Sequence, residues 1–252
     1  MLFLPWHLYD PLSSGLNVTL PAGTVQLDGR LGATGSPWRD LIGVYAPLAD
    51  EVARDDAGPT VVLSGDCVAS LAVLAGVQRR GVRPSLVWFD AHGDFHTEAS
   101  TTSGYLGGLP LAKAVGRGDL ILPEAFGLIS LGEESVTLVD GRDLDPAEAE
   151  ALAGSKVTHV SVAELDTDRL PEGPMVLHVD VDIIDPAELG GLRFPAPGGP
   201  SLQDVVDAVR AVVHDRPLAA LDIAATWRPE DTTRVQTDAV LSALLSSIQP
   251  PP

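Results

Sequence analysis

Short apolar runs alternate along this chain with stretches of helical period, and this alternation limits the fold more than any other feature. The clearest runs are TVVLSG (Thr60–Gly65), SLVWFD (Ser85–Asp90) and LAALDIAAT (Leu218–Thr226). Strands that are covered on both faces read as nearly continuous apolar runs, and the helices between them supply the cover. We therefore predict an α/β fold with helices on both faces of a central, mostly parallel sheet.

The remaining predicted elements follow the same pattern. Four further strands are predicted at FGLISLG (Phe126–Gly132), SVTLVDG (Ser135–Gly141), KVTHVSV (Lys156–Val162) and MVLHVDVDIID (Met175–Asp185). Four helices are predicted over Cys67–Gly81, Asp145–Gly154, Ser201–Asp215 and Arg234–Ile248. Asp145 and Ser201 stand at N-cap positions. Pro146 suits the first helical position, and Glu148 suits the first turn. The segment before Thr60 carries no clear pattern.

The chain is strongly acidic, with a formal net charge of −19 over 252 residues. This charge repels phosphate backbones and anionic lipids, so we expect no nucleic-acid and no membrane partner, whereas metal ions and small cations are attracted. Cys67 is the single cysteine, which excludes an internal disulfide and fits a reducing cytoplasm. The apolar N-terminal run is broken by Pro5 and His7, which argues against a signal peptide or a spanning helix.

Three side chains of the types that bind metal ions alternate along the sequence from the end of the predicted strand Ser85–Asp90. Asp90, His92 and Asp94 are separated only by the small residues Ala91 and Gly93. On an extended backbone, alternate side chains point to the same face. The carboxyl ends of parallel strands are also where open α/β sheets bind their ligands. We therefore expect these three side chains to converge on one site.

The same alternation returns at the end of the strand that begins at Met175, in His178, Asp180 and Asp182. Four carboxylates in one cleft repel each other unless cations compensate them. Two divalent ions would satisfy the set, and carboxylate with imidazole ligands suits Mn²⁺ best among the common ions. A pair of such ions activates water for hydrolysis. The sequence therefore predicts a binuclear metal centre at this edge of the sheet.

Other chemistries lack their motifs. The sequence contains no G-x-G-x-x-G and no G-x-x-x-x-G-K-[ST], which argues against dinucleotide and nucleotide-phosphate binding. It also contains no G-x-S-x-G, the motif of many serine hydrolases. His7, His159 and His214 stand in isolated contexts, and we interpret them as structural or solvated.

Six segments, in their order and spacing, resemble the arginase/agmatinase (ureohydrolase) superfamily. They are SGDC (Ser64–Cys67), DAHGD (Asp90–Asp94), SGYLGGLP (Ser103–Pro110), GRDLDPAE (Gly141–Glu148), DVDIIDP (Asp180–Pro186) and LDIAATWRP (Leu221–Pro229). The resemblance runs from about Thr60 to the end of the chain. The combination of DAHxD with DxDxxDP is the most specific part of it.

The resemblance implies a three-layer αβα fold in a single domain over residues 1–252. It also implies two divalent metal ions, most commonly Mn²⁺, and hydrolysis of a C–N bond in a small guanidino or amidino substrate. In that family, the matching positions bind the metals, here Asp90, His92, Asp94, Asp180 and Asp182. The proposed mechanism uses Asp94 to accept a proton from the attacking water and to pass it to the leaving nitrogen.

Two positions near the metal centre depart from the family. Cys67 stands where the first metal-binding histidine is expected, and a thiolate is a softer ligand that makes Zn²⁺ or Fe²⁺ plausible. Alternatively, Cys67 is a buried thiol that only packs at the start of a helix. His178 stands where arginases have a serine, and it either orients a ligand or binds metal itself.

Two catalytic features of arginases are absent. Gly107 occupies the place of a histidine proposed as a proton shuttle. Ala225 or Thr226, depending on where one extra residue is counted, occupies the place of a glutamate that pairs with the guanidinium. Loss of a buried charge-assisted partner costs about 1.5–3 kcal/mol. This difference argues against ordinary arginine hydrolysis.

The part of the family site that recognises the amino-acid end of the substrate is retained in outline. Asp145 and Glu148 match an acidic pair that lies near the substrate amino group. Thr101 and Ser103 lie in the loop that meets the substrate carboxylate. His96 takes the place of an asparagine that binds this carboxylate, and a cationic imidazole can do the same. The resemblance therefore implies a substrate-binding role for these five residues.

Three interpretations of function remain open. Cys67 and the loop that follows His96 resemble a divergent bacterial branch that includes a hydroxyarginine hydrolase, so a modified arginine is a candidate substrate. A catalytically impaired metal-binding homologue is the first alternative, and a formimino or amide hydrolase is the second. Members of the family often form trimers or hexamers, and the sequence leaves homo-oligomerisation open.

Overall fold

The computed structural model describes residues 1–54 and 58–249. Their strands are β1 (Leu2–Leu4), β2 (Trp6–His7), β3 (Asp10–Pro11), β4 (Val25–Gln26), β5 (Thr60–Ser64), β6 (Ser85–Asp90), β7 (Val136–Asp140), β8 (Thr158–Val160), β9 (Met175–Asp180) and β10 (Leu218–Ala224). The helices are α1 (Pro37–Arg54), α2 (Ala69–Arg79), α3 (Pro110–Ala114), α4 (Ile121–Phe126), α5 (Pro146–Ala153), α6 (Leu202–Asp215) and α7 (Arg234–Ser247). The domain predicted over 1–252 includes positions 55–57 and 250–252, which lie outside the described residues.

Eight of the described strands form one sheet in the order β4-β1-β5-β10-β9-β6-β7-β8. Every neighbouring pair in this sheet is parallel. Strands β2 and β3 form a separate antiparallel pair. Because the strands are parallel, all their carboxyl ends lie along one edge of the sheet.

The sheet separates two apolar clusters. Along β6, Leu86 and Trp88 belong to the first cluster, which also contains buried residues of α1 and α2. Val87 and Phe89 belong to the second, which contains buried residues of α6 and α7. Successive side chains of a strand point to opposite faces, so helices cover the sheet on both sides. The predicted three-layer αβα fold is confirmed.

The predicted strand at Phe126–Gly132 is wrong. Helix α4 ends at Phe126, and Gly127 follows in the left-handed conformation with a φ of 76°. Leu128 and Leu131 are buried in the first apolar cluster without belonging to a strand. Burial in the helical layer, rather than sheet pairing, therefore explains this short apolar run, which periodicity alone cannot distinguish from a strand.

Helix ends are predicted more accurately. Helix α6 begins directly after Ser201, whose Oγ accepts the Asp204 N–H at 3.1 Å, as expected of a capping residue. Helix α5 begins at Pro146 as predicted, but Asp145 makes no side-chain cap hydrogen bond and instead contacts His96. None of the helices in residues 1–54 and 58–249 has the length and apolar character that crossing a membrane requires.

Candidate metal centre

Four neighbouring strands deliver the candidate ligands to one edge of the sheet. In the order β5-β10-β9-β6, each strand is hydrogen-bonded to the next. Cys67 follows β5, Thr226 follows β10, and Asp180 and Asp90 are the last residues of β9 and β6. Residues that are far apart in sequence therefore meet because their strands are parallel and end together.

Both ligand runs leave their strands by the same local turn. The Asp90 Oδ1 atom accepts the backbone N–H of His92 at 2.7 Å, and Asp180 Oδ1 accepts the N–H of Asp182 at 2.9 Å. A short polar side chain that accepts from the residue two positions later replaces sheet pairing with a turn. The strand predicted over Met175–Asp185 consequently ends at Asp180, and residues 181–183 form a 3₁₀ turn.

The predicted extended backbone from Asp90 to Asp94 is also wrong. Strand β6 ends at Asp90, and Asp94 has a φ of 48°, in the left-handed region. Aspartate tolerates this conformation better than most residues. Gly93, between the two, has no room for a side chain, because a Cβ there would lie 2.6 Å from Glu148 Cδ. Convergence therefore depends on a tight loop rather than on strand alternation.

Two groups of ligand atoms form within this edge. Cys67, Asp90 and His178 each offer one atom, and these atoms lie within 4.8 Å of one another. Asp90, His92 and Asp182 form a second group by the same measure. His92 Nδ1 lies 3.4 Å from Asp90 Oδ1 and 3.2 Å from Asp182 Oδ2. Asp90 is a member of both groups, so its carboxylate is placed to bind two neighbouring ions.

Asp180 and Asp94 are in neither of these groups within the described residues, but both lie beside them. The Cys67 Sγ–H donates to Asp180 Oδ2 at 2.8 Å. Asp94 is buried, and its charge interacts with those of Asp90 and Asp180. The structure thus places all six predicted ligands at one end of the sheet.

Thr226, not Ala225, reaches this centre. The Thr226 hydroxyl donates a short hydrogen bond to Asp180 Oδ1. The Ala225 side chain is instead part of the apolar cluster beneath α6 and α7. Of the two candidate positions, Thr226 is therefore the one that offers a side chain to the centre, and that side chain is a neutral hydroxyl.

Several polar atoms of the centre are buried without a hydrogen-bond partner in the described part of the chain. These atoms are Asp94 Oδ2, Asp182 Oδ1 and His178 Nε2. Burial raises the pKa of Asp94 and of Asp180 well above the usual range, and neighbouring carboxylates raise both further. Burial and Asp90 raise the pKa of Asp182 to about 6. Groups of this kind fit a bound cation.

His92 is the cationic partner of these carboxylates. Burial alone lowers the pKa of His92, but hydrogen bonds to Asp182 and Asp90 outweigh it and raise this pKa to about 12. The same contact lowers the pKa of Asp90, although burial opposes the shift. A divalent ion would replace the proton that His92 carries, so the donor set present fits the metal centre that the sequence predicts.

The substrate-binding residues expected beside the centre form a small cluster of their own. His96 Nε2 lies 3.2 Å from Asp145 Oδ2, and His96 Nδ1 lies 3.1 Å from the Ser100 hydroxyl. Glu148 is buried and its Oε1 accepts the Phe95 N–H at 2.8 Å. Both ring nitrogens of His96 are therefore occupied, and a substrate carboxylate would have to compete with Asp145 for this imidazole.

Thr101 and Ser103 shape the loop that follows. The Thr101 hydroxyl accepts the Gly104 N–H and the Ser103 hydroxyl accepts the Tyr105 N–H, each at 3.2 Å. Both side chains thus have partners within their own loop. These hydrogen bonds hold the loop backbone next to Tyr105.

Three rings that the sequence did not single out for the site lie beside it, those of His7, Tyr105 and Phe194. The Tyr105 hydroxyl lies 3.1 Å from Nε2 of the buried His7. The Tyr105 ring lies 4.7 Å from that of Phe194, which meets the His92 ring edge-on at 6.3 Å. No short motif links these positions. The only signals in the sequence were the aromatic residue inside the SGYLGG segment and the one in the Pro/Gly-rich stretch RFPAPGGPS (Arg193–Ser201).

Tyr105 also fills the space beside Gly107. A Cβ on Gly107 would lie 2.4–2.5 Å from three atoms of the Tyr105 phenol. A Cβ on the adjacent Gly108 meets no atom within 4 Å. The absence of a side chain at Gly107 therefore leaves the space that the Tyr105 phenol occupies.

We expect Gly107→Ala to destabilise the fold by about 1–3 kcal/mol, the usual cost of overpacking. The matched variant Gly108→Ala should stay within about 0.5 kcal/mol of the parent, because its Cβ enters open space. Thermal or denaturant unfolding of the two variants measures the difference. Equal stability of both would show that Tyr105 does not hold this space.

Comparisons with known proteins place the chain in a family. A model of the arginase family matches residues 39–249. The N(omega)-hydroxy-L-arginine amidinohydrolase of Streptomyces lavendulae is 27% identical over 214 residues, which cover 83% of this chain and 74% of that relative. The arginase of Bacillus caldovelox is 27% identical over 217 residues, covering 81% of this chain and 72% of that relative.

A solved structure of the arginase from Bacillus caldovelox has the same fold. It superposes with a TM-score of 0.78 at 24% sequence identity and covers 89% of this chain and 84% of that chain. The resemblance drawn from the six motifs is confirmed. The chain belongs to the arginase family.

Proposed function

We propose that this protein is a metal-dependent hydrolase that cleaves a C–N bond in a guanidino or amidino compound, with a modified arginine such as hydroxyarginine as its substrate. The observation that carries the proposal is the pair of ligand groups that share Asp90 at the sheet edge. Family membership supports hydrolysis, and the amidinohydrolase relative supports the substrate class.

Two divalent ions would be held by the ligands already described. Cys67 and Asp90, with Asp94 and Asp180 beside them, would hold one ion, and Asp90, His92 and Asp182 would hold the other. The second, oxygen-rich set suits Mn²⁺. Bound there, the ions would lower the pKa of a water molecule and polarise the bond to be broken.

The side chains around the ions would position the reactants and move protons. Asp94 has a buried Oδ2 with no partner among residues 1–54 and 58–249, so it is available to accept a proton from water and return it to the leaving nitrogen. Thr226 holds Asp180 through its hydroxyl. The Tyr105 and Phe194 rings pack against each other beside His92 and would line this side of the site.

The proposed substrate follows from the missing carboxylate at Thr226 and from the polar cluster near His96. Thr226 offers a planar cation no charged partner, which disfavours a strongly basic guanidinium. A hydroxyguanidine is less basic and depends less on such a partner. The buried Glu148, with Asp145 and His96, provides a polar cluster for the amino-acid end. These features together favour hydroxyarginine over arginine.

A substrate panel tests the proposal. The Mn²⁺-loaded protein is assayed with arginine, hydroxyarginine, agmatine, guanidinobutyrate and formiminoglutamate for release of urea, hydroxyurea or formamide. Turnover of hydroxyarginine above that of arginine is the expected result. Formamide release alone would assign a formimino hydrolase, which the neutral Thr226 also permits. Silence across the panel by protein with bound metal would favour a catalytically impaired homologue.

Thr226→Val is expected to weaken metal binding by about 10- to 100-fold, because it removes the hydrogen bond that orients Asp180 while keeping the side-chain shape. Thr137→Val is the matched control, since the Thr137 hydroxyl is buried without a partner in the described part of the chain. The control should bind metal like the parent. Titration with Mn²⁺ measures the affinity of each variant. Equal affinities in Thr226→Val and Thr137→Val would show that Thr226 does not support metal binding.

A further inference from the structure

His178 is a fully buried imidazole whose orientation is set by Asp222 and Trp88. Its Nδ1 lies 2.8 Å from Asp222 Oδ2. Its ring stacks on that of Trp88, with centroids 3.6 Å apart. Trp88 in turn donates from Nε1 to Asp90 Oδ2 at 2.9 Å. The ring has therefore a single orientation, set by a carboxylate on β10 and an indole on β6.

The remaining ring nitrogen of His178 has no partner in the described part of the chain. Nε2 is buried, and no donor or acceptor of residues 1–54 and 58–249 reaches it. The ligand atoms of Cys67, Asp90 and His178 lie within 4.8 Å of one another. A buried unpaired nitrogen is costly, and metal-binding histidines are typically oriented by a carboxylate on their other nitrogen. Asp222 gives His178 this arrangement.

The donor atoms at this position differ from those beside it. Cys67 and His178 offer sulfur and nitrogen in addition to the Asp90 oxygen, whereas the neighbouring group offers the oxygens of Asp90 and Asp182 and the nitrogen of His92. Thiolate and imidazole ligands suit Zn²⁺ and Co²⁺, while carboxylate-rich sets suit Mn²⁺. The position at Cys67 and His178 therefore favours Zn²⁺, whereas the position at His92 and Asp182 favours Mn²⁺.

We infer that Cys67, Asp90 and His178 form a thiolate–imidazole site that selects Zn²⁺ over Mn²⁺, next to the oxygen-rich position held by Asp90, His92 and Asp182. The inference rests on the metal centre of the proposed function and assigns His178 as a ligand in it. On binding, the Cys67 thiol gives up the proton that it now donates to Asp180, and that proton leaves to solvent.

Cobalt titration of the metal-free full-length chain tests the thiolate. Coordination of Co²⁺ by Cys67 gives a sulfur-to-metal charge-transfer band in the near ultraviolet, which Cys67→Ser should abolish while leaving the second equivalent of Co²⁺ bound. A parent protein without the band, or a Cys67→Ser variant that retains it, would overturn the inference.

His178→Asn tests the imidazole. Asparagine can still donate to Asp222 but has no atom at the Nε2 position, so Zn²⁺ affinity should fall by at least about 100-fold and the preference for Zn²⁺ over Mn²⁺ should decrease. His214→Asn, at a side chain that is 78% exposed on α6, is the matched control and should bind like the parent. Unchanged Zn²⁺ affinity in a folded His178→Asn variant would show that His178 only packs.

X-ray absorption of the parent with one equivalent of Zn²⁺ decides the point if His178→Asn fails to fold. One sulfur at about 2.3 Å together with imidazole scattering is expected. The imidazole signal should persist in His92→Asn, and its loss there would contradict the assignment of His178. Turnover in the substrate panel without these sulfur and imidazole signals would refute this inference alone, whereas both signals with a silent panel would refute only the proposed function.

Discussion

Replacement of Asp90 by asparagine is expected to lower kcat/KM by on the order of 10³-fold or more. Asp90 contributes to both groups of ligand atoms, so its loss weakens both metal positions at once. Bound divalent ions stabilise hydrolytic transition states by several kcal/mol, and about 1.4 kcal/mol corresponds to a factor of ten in rate. Steady-state kinetics with the preferred substrate of the panel measures the loss.

Asp207→Asn is the matched control for this variant. Asp207 lies on the exposed face of α6, where it pairs with Arg210, and its carboxylate is 57% exposed. The same chemical change there should leave kcat/KM within about twofold of the parent, because exposed ion pairs contribute little. An Asp90→Asn protein that is folded and retains parental activity would contradict the role of the shared carboxylate.

Metal binding is expected to raise the melting temperature of the chain by about 5–11 °C. The centre buries several carboxylates that repel each other, and an ion compensates them only in the folded state. At an ion concentration of about 100 times Kd, one site adds about 2.7 kcal/mol, and about 1 kcal/mol shifts the melting temperature by roughly 2–4 °C in a chain of this size. Thermal unfolding with Mn²⁺ and with a chelator measures the shift.

The Asp90→Asn variant controls for unspecific effects of the ion on this acidic chain. Without the shared ligand, its melting temperature should respond to Mn²⁺ by less than about 2 °C. A parental shift in that variant would mean that surface carboxylates, rather than the centre, bind the ion.

The sheet could be predicted because its central strands are covered on both faces. Residues Ser85–Asp90 are all buried in β6, and the corresponding apolar run is evident in the sequence. The run at Phe126–Gly132 is also apolar but lies in the helical layer, and only tertiary packing distinguishes the two. The short strands β1 and β4 carry too few residues to show any period.

The residue types of the candidate site could be predicted, but the backbone conformation that brings them together could not. Asp90 and His92 do converge, but they do so through a turn closed by the Asp90 carboxylate rather than through an extended strand. Contacts between distant residues could not be predicted. Tyr105 meets His7 across 98 positions, and His178 meets Asp222 across 44. Such pairs depend on strand order, which one sequence does not specify.

The central claim is that two ions bind at the ends of β6 and β9, and counting them tests it most directly. The full-length chain is loaded with Mn²⁺ and Zn²⁺, freed of unbound ions by gel filtration, and analysed for metal content by mass spectrometry. We expect two divalent ions per chain. A folded chain that holds no stoichiometric ion after loading would contradict the metal centre and the hydrolase that depends on it.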